Sequence, residues 1–188
     1  YLTAYVFSTE NWKRPQDEVD SIIALLRSYL DEMDGYAKEN IRVRFIGDRT
    51  SFDDDIRGKM ARAEEKSKNA TGLTLILAIN YGGRAEITNA ARKIAEEAAK
   101  GMLQPEEITE EFFSRYLYTN DIPDVDLIIR PSGEYRLSNF LIWQSAYAEY
   151  VFMDGVLWPN FKPADLDAAI EEYHHRSRRF GGLSNQNG

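Results

Sequence analysis

Cysteine is absent from the chain, which excludes disulfides and thiolate metal ligation and makes a reducing, cytoplasmic setting the expectation. Histidine is nearly absent: His174 and His175 stand side by side in a charged segment, where solvent exposure is the usual outcome and a zinc site has too few ligands. There is no GxSxG elbow, no GxGxxG fingerprint and no Walker lysine pair, so hydrolase and nucleotide-binding readings lack their carriers. Long hydrophobic runs are missing too. The longest, Leu75 to Ile79, falls far below the roughly 20 residues that span a bilayer, and no secretory signal is visible. Positive charge is in deficit, with 23 Lys and Arg against 31 Asp and Glu and a net charge of −8, which argues against a nucleic-acid partner. Any anion this protein holds must therefore meet a local cluster of arginines.

What is present is a regular alternation of strand and helix signals within a length, 188 residues, that suits one domain with one core. Five apolar runs read as strands: Leu2–Phe7, Ile41–Ile46, Leu73–Ile79, Asp126–Ile129 and Tyr150–Met153. The first helix opens near Pro15 and sets Val19, Ile22, Ile23, Leu26, Leu30 and Met33 at helical spacing. Its apolar face is broad enough to pack on a sheet and line a greasy space as well. A second helix is predicted from Ser51, capped through Asp54, to near Gly72. A third follows Tyr81-Gly-Gly-Arg84 to about Gly101, and two shorter ones cover Thr109–Leu117 and Pro163–Tyr173. The fold class expected is α/β, a mostly parallel central sheet flanked by helices on both faces, with ligands beyond the carboxyl ends of its strands. Tyr1 opens directly in a strand, without an initiator Met or lead-in, so an upstream portion of the working protein is expected.

Two stretches carry chemistry. Phe7-Ser-Thr-Glu-Asn-Trp-Lys-Arg14 leaves the first strand for the first long helix, and its backbone N–H groups favour an anion there. Ser8 and Arg14 would complete a phosphate cradle, although Ser8 and Asn11 also suit turn and cap roles and Trp12 suits packing. The stronger signal follows the fourth strand, where Arg130, Arg136 and Ser138 offer guanidinium forks and a hydroxyl of the kind that binds phosphate. Glu134 could instead pair with these arginines. Glu149 lies inside Ala146-Tyr-Ala-Glu-Tyr-Val-Phe152, where an unpaired carboxylate is costly, so an arginine or a hard cation such as Mg²⁺ should meet it.

Taken together, YVFSTENWKRP, IRVRFIGDRTSF, GLTLILAINYGGRAEI, DLIIRPSGEYRLSNFLIWQSAYAEYVF, VLWPNF and RSRRFGG resemble the blocks of the cis-prenyltransferases, in order and over nearly the whole chain. The resemblance implies Mg²⁺-dependent condensation of isopentenyl diphosphate onto an allylic diphosphate such as farnesyl diphosphate. Successive cis additions would give a long-chain product such as undecaprenyl diphosphate, the lipid carrier precursor of cell-wall synthesis. It implies that Arg130, Arg136, Leu137 and Ser138 hold isopentenyl diphosphate and that Glu149 is the metal ligand. Ser8, Thr9, Glu10, Asn11, Trp12 and Arg14 would position the substrates. Asn11 falls where the family places a proton acceptor. A neutral amide is a poor base, so Asn11 is expected to orient substrate while a diphosphate oxygen takes the proton.

The growing chain needs an apolar tunnel between sheet and helices, for which the Ile22–Leu30 face with Val6 and Leu77 or Ile79 is the candidate wall. Arg179-Phe-Gly181 matches an element that implies a homodimer, with Asn139–Phe152 as its interface. A lipid product implies peripheral membrane contact at the inner face. The chain also departs from the family pattern: an upstream strand ending in a DGNGRW-type loop is not in the sequence, Pro131 and Tyr135 replace more usual residues, and Gly155 reads as an insertion. The competing reading is a non-catalytic, prenyltransferase-like partner subunit. Retention of Asn11, Arg14, Arg130, Arg136, Ser138 and Glu149 weighs against it.

Overall fold

The structure, a computed structural model, describes residues 1–176; Arg179–Gly181 and the polar tail from Leu183 lie outside the described residues. Every strand pairing is parallel, as the alternating pattern requires. The chain divides into two compact units, Tyr1–Asp121 and one that begins at Ile122.

The first unit holds β1 (Leu2–Ser8), β2 (Arg42–Ile46) and β3 (Thr74–Tyr81) in the order β1-β3-β2. The central β3 is apolar on both faces, since alternate residues point opposite ways and both Leu77 and Ile79 and, between and before them, Ile76 and Ala78 are buried. The connecting helices are α1 (Gln16–Glu32), α2 (Asp54–Ser67) and α3 (Gly83–Ala99), followed by a short α4 (Glu110–Ser114). Phe7, Leu77 and Ile79 from the sheet meet Val19, Leu26 and Leu30 of α1 and Ile56 and Met60 of α2 in the main core. After α1 the chain tightens into a 3-10 segment, Met33–Glu39.

The predicted start of α2 shifts. Asp53, not Ser51, is the cap, its carboxylate accepting from the Ile56 N–H at 2.9 Å. Ser51 belongs instead to a 3-10 turn, where its hydroxyl receives the Asn80 amide at 3.3 Å. Along their outer sides α1 and the 3-10 segment are joined to α2 by a ladder of ion pairs. Arg27 meets Asp53 and Asp55, Lys59 meets Asp31, Arg62 meets Asp31 and Asp34, and Lys66 meets Asp34.

The second unit holds β4 (Leu127–Arg130) and β5 (Glu149–Phe152), in register from Leu127 opposite Glu149 to Arg130 opposite Phe152. Glu149 is thus the first residue of β5, one position before the predicted strand start. Helix α5 (Pro163–His175) packs on β5 and buries Ala169. Ile128 of β4, Val151 of β5 and Leu141 of the connection between them are buried as well.

Candidate functional site

An apolar cavity of about 570 Å³ lies between the β1/β3 face and α1. Val6 and Leu77 contribute from the strands and Ile22, Leu25, Leu26 and Tyr29 from the helix, so the expected wall is present. Ile79 is the exception: it is buried in the core and does not line the cavity. Because β1 and β3 are parallel, the cavity has chemically distinct ends. Ala4 and Leu75 sit toward the strands' amino ends with Tyr36 of the 3-10 segment, while Asn11 and Arg14 come from the turn beyond the carboxyl end of β1. Burial by surrounding groups, with Tyr29 next in effect, pushes the Tyr36 phenol pKa up, so it is a neutral wall residue.

The turn that carries Asn11 and Arg14 is a 3-10 segment, Thr9–Lys13, rather than a direct entry into α1. Asn11 accepts the Ser8 N–H through Oδ1 at 2.7 Å, which identifies its free end as the NH₂ group, since only the amide oxygen can accept. Asn11 is therefore a donor toward the cavity, and it both holds the turn and lines the cavity. Arg14 reaches Glu18 at 3.5 Å with both side chains about half exposed, a loose pair that leaves the guanidinium available. The Thr9 hydroxyl donates to Glu10 at 3.1 Å.

Trp12 is fixed more firmly. Its ring meets Phe7 at 4.9 Å and Phe52 at 5.8 Å, and its indole N–H donates to Asn80 Oδ1 at 2.8 Å. Asn80 is buried at the end of β3 with a positive φ of 48°. Its amide also donates to the Asp48 carbonyl at 2.8 Å. The adjoining Gly47 must be glycine: at φ 116° a Cβ would stand 2.0 Å from the Ile79 carbonyl oxygen. Asn80 and Gly47 were not among the predicted site residues. The available signal was a polar residue ending an apolar strand and a glycine ending another.

In the second unit the predicted anion site is a turn. Arg130 ends β4, and Glu134 takes both Arg130 and Arg136, the latter at 2.6 Å. Arg130 beside it, with Arg136, holds the Glu134 carboxyl below its ordinary range. Leu137 is half-buried and Ser138 exposed, with Ser138 and Asn139 both at positive φ, 50° and 65°. The turn thus gathers two forked cations around one carboxylate, a geometry that an oxyanion ligand could enter by exchange.

Glu149 meets Arg176, which donates to Oε2 at 2.9 Å and to the Tyr150 carbonyl at 2.9 Å. This satisfies the requirement that a carboxylate in an apolar stretch be paired. Among the described residues there is no cluster of three His, Asp or Glu side chains that could hold a metal ion. A cation at Glu149 would take one carboxylate from these residues and its other ligands from water and substrate oxygens, the coordination Mg²⁺ commonly accepts. No helix among the described residues is long and apolar enough to cross a membrane.

A family model described as "Putative undecaprenyl diphosphate synthase" matches residues 1–181. The chain is 50% identical to isoprenyl transferase 2 of Corynebacterium efficiens over 96% of its length and 74% of the relative's. It is also 50% identical to the isoprenyl transferase of Thermotoga maritima, over 98% and 78%. Among solved structures, lavandulyl diphosphate synthase from Lavandula x intermedia in complex with dimethylallyl diphosphate superposes with a TM-score of 0.92 at 36% identity, covering 96% of this chain and 78% of that one. A probable undecaprenyl diphosphate synthase from Campylobacter jejuni gives 0.84 at 42%, covering 96% and 83%.

Proposed function

Because the chain belongs to the undecaprenyl diphosphate synthase family of prenyltransferases, we propose that it condenses isopentenyl diphosphate with an allylic diphosphate such as farnesyl diphosphate, in successive cis additions. The observation that carries this reading is the cavity with apolar walls and a polar end formed by Asn11 and Arg14. An allylic diphosphate has the same division, a hydrocarbon tail and an anionic head.

In each addition the allylic carbon–oxygen bond breaks, diphosphate leaves, a carbon–carbon bond forms to isopentenyl diphosphate, and that substrate loses one proton. Arg14 would neutralise the allylic head, Arg130 and Arg136 the second diphosphate, and the Ser138 hydroxyl would add a hydrogen bond. Ser8, Thr9 and Glu10 would shape the turn around the first head, and Leu137 would fix the second turn by its half-buried side chain. Trp12 would form an aromatic edge beside the reacting carbons. Asn11, with its oxygen engaged by Ser8, would orient substrate through its NH₂ group, leaving a diphosphate oxygen to take the proton. Glu149 would hold Mg²⁺, which when bound neutralises charge building on the diphosphate that leaves.

The cavity of about 570 Å³ falls within the size range of small-molecule sites. Undecaprenyl diphosphate, a lipid carrier precursor in cell-wall synthesis, would have to extend past Leu25 and Tyr29, which are 63% and 50% exposed. That exposure supports elongation through the open side of α1. The exposed Ile142 and Tyr147 favour a homodimer through Asn139–Phe152, and a lipid product would bring a cytoplasmic protein into peripheral contact with the inner face of the membrane.

The test is incubation of the full-length protein with farnesyl diphosphate, radiolabelled isopentenyl diphosphate and Mg²⁺, followed by chain-length separation. Labelled polyprenyl diphosphate that disappears with EDTA and in Glu149→Ala is expected. No incorporation by a folded protein would overturn the reading in favour of a non-catalytic partner subunit.

A further inference from the structure

Pro131, Tyr135 and Gly155 all lie in two turns that leave β4 and β5 side by side. Main-chain bonds lace these turns together at their base: Met153 N–H to the Arg130 carbonyl at 2.9 Å, Gly133 N–H to the Met153 carbonyl at 3.0 Å, and Ser132 N–H to the Val156 carbonyl at 2.7 Å. The lacing fits closely, since a Cβ on Gly133 would come within 3.3 Å of the Asp154 carboxylate. Ser132 and Gly133 both have positive φ, 81° and 62°. A serine in that region is not held there by its own preference and depends on its surroundings.

Beyond Gly133 the tie is continued by a side chain. The Tyr135 hydroxyl lies 2.5 and 2.6 Å from the two Asp154 carboxylate oxygens, and its one proton can serve either. Its ring rests on Phe152, with centroids 5.3 Å apart. Phe152 in turn stacks on Tyr150 at 6.0 Å and 8°. Tyr135 is 65% exposed, so apolar burial does not explain its place; the Asp154 contact and the ring contact do. The carboxylate hydrogen bond pushes the phenol's pKa up. Its sequence neighbours are Glu134 and Arg136, so whatever fixes Tyr135 restrains the backbone between the carboxylate and one of the two guanidinium forks it holds.

We propose that Tyr135 and Asp154 form a latch that positions Arg136, and through Glu134 also Arg130, for the diphosphate of isopentenyl diphosphate. Neither is a catalytic residue; both act through the arginines. The inference rests on the assignment of these arginines to isopentenyl diphosphate.

The test is calorimetric titration of the full-length protein and its Tyr135→Phe, Asp154→Asn and double variants with isopentenyl diphosphate, alongside steady-state kinetics and thermal melts. Tyr135→Phe retains the ring over Phe152 and removes only the donor. It is expected to weaken isopentenyl diphosphate binding about tenfold, the ratio an ordinary hydrogen bond supplies. The KM for the allylic substrate and the melting temperature should stay unchanged. Asp154→Asn keeps an acceptor and should lose less, and the double variant should bind no worse than Tyr135→Phe, because the two act as one unit. Equal binding by wild type and Tyr135→Phe would overturn the latch while leaving the transferase reading intact. A melting temperature that falls in step with affinity would assign Tyr135 a structural role only. A wild-type protein that binds no isopentenyl diphosphate would sink the assignment of the arginines itself.

Discussion

The indole nitrogen of Trp12 donates to the side-chain oxygen of Asn80, 68 positions further along the chain, at 2.8 Å. That bond joins the turn after β1 to the end of β3, and through the Asn80 amide and the Asp48 carbonyl to the end of β2. The carboxyl ends of all three strands of the first unit are therefore held by one buried amide.

Removing that amide should cost more than removing the indole. Asn80→Ala strips part-buried hydrogen bonds from Trp12 and the Asp48 carbonyl, and a loss of about 2 kcal/mol in urea unfolding is expected. Trp12→Phe leaves Asn80 bonded to Asp48 and Ser51 and should lose only ~1 kcal/mol. Equal losses would show that Asn80 is not the hub.

Tyr36 stands at the end of the cavity away from Asn11 and Arg14. Replacing it by alanine adds space where a growing chain would first meet resistance. Tyr36→Ala should shift the products toward greater length by one or more isoprene units, read by reversed-phase chromatography. An unchanged distribution would place the limit elsewhere.

Arg130 tests the shape of the anion site as distinct from its charge. Arg130→Lys keeps the charge and loses the planar fork. It should raise the KM for isopentenyl diphosphate about tenfold, and Arg130→Ala about a hundredfold, for a charged hydrogen bond of ~1.5–3 kcal/mol. A lysine variant that matches wild type would show that point charge suffices.

The acid side of the stability profile should report Asp121. Its carboxylate takes both Arg44 nitrogens, at 2.6 and 2.8 Å, and that hydrogen bonding holds its pKa below the usual 3.8. A carboxyl depressed in the folded state stabilises above its unfolded pKa and loses that contribution as pH falls through the folded one. Melting temperatures should thus be insensitive to this pair above about pH 5 and fall below about pH 4. Asp121→Asn should lose ~0.5 kcal/mol at pH 7, discounted for a half-exposed carboxylate, with a shallower decline in acid. An unaltered acid limb would remove Asp121 from that account.

Much of this was legible in the sequence where one pattern had one reading. Leu75 to Ile79 is apolar at every position because β3 is covered on both faces, and the excess breadth of the Ile22–Leu30 pattern corresponds to a helix shared between core and cavity. Ser51 and Asp53 both offered caps to α2, and local spacing could not show that Ser51 faces Asn80. Tyr36 was missed because the chain passes from α-helix to a 3-10 segment at Met33, which ends the 3.6-residue period that would have projected its direction. The need of Glu149 for a cation was legible from its apolar neighbours. Arg176 as that cation, 27 residues on, was not, because periodicity carries no information on contacts between distant segments.

The shared hold of Arg130 and Arg136 on Glu134 gives the anion site a tenant bound to the same chain. Any incoming oxyanion competes with a carboxylate whose effective concentration is set by its tether and does not fall on dilution. Affinity then measures the difference between two ion-paired states rather than the filling of a vacancy. A singly charged anion offers the arginines little that Glu134 does not already supply, whereas a diphosphate brings several charges and more oxygens than one carboxylate can match. Discrimination against the abundant small carboxylates of a cell would follow from one residue of the protein's own turn, without any steric exclusion.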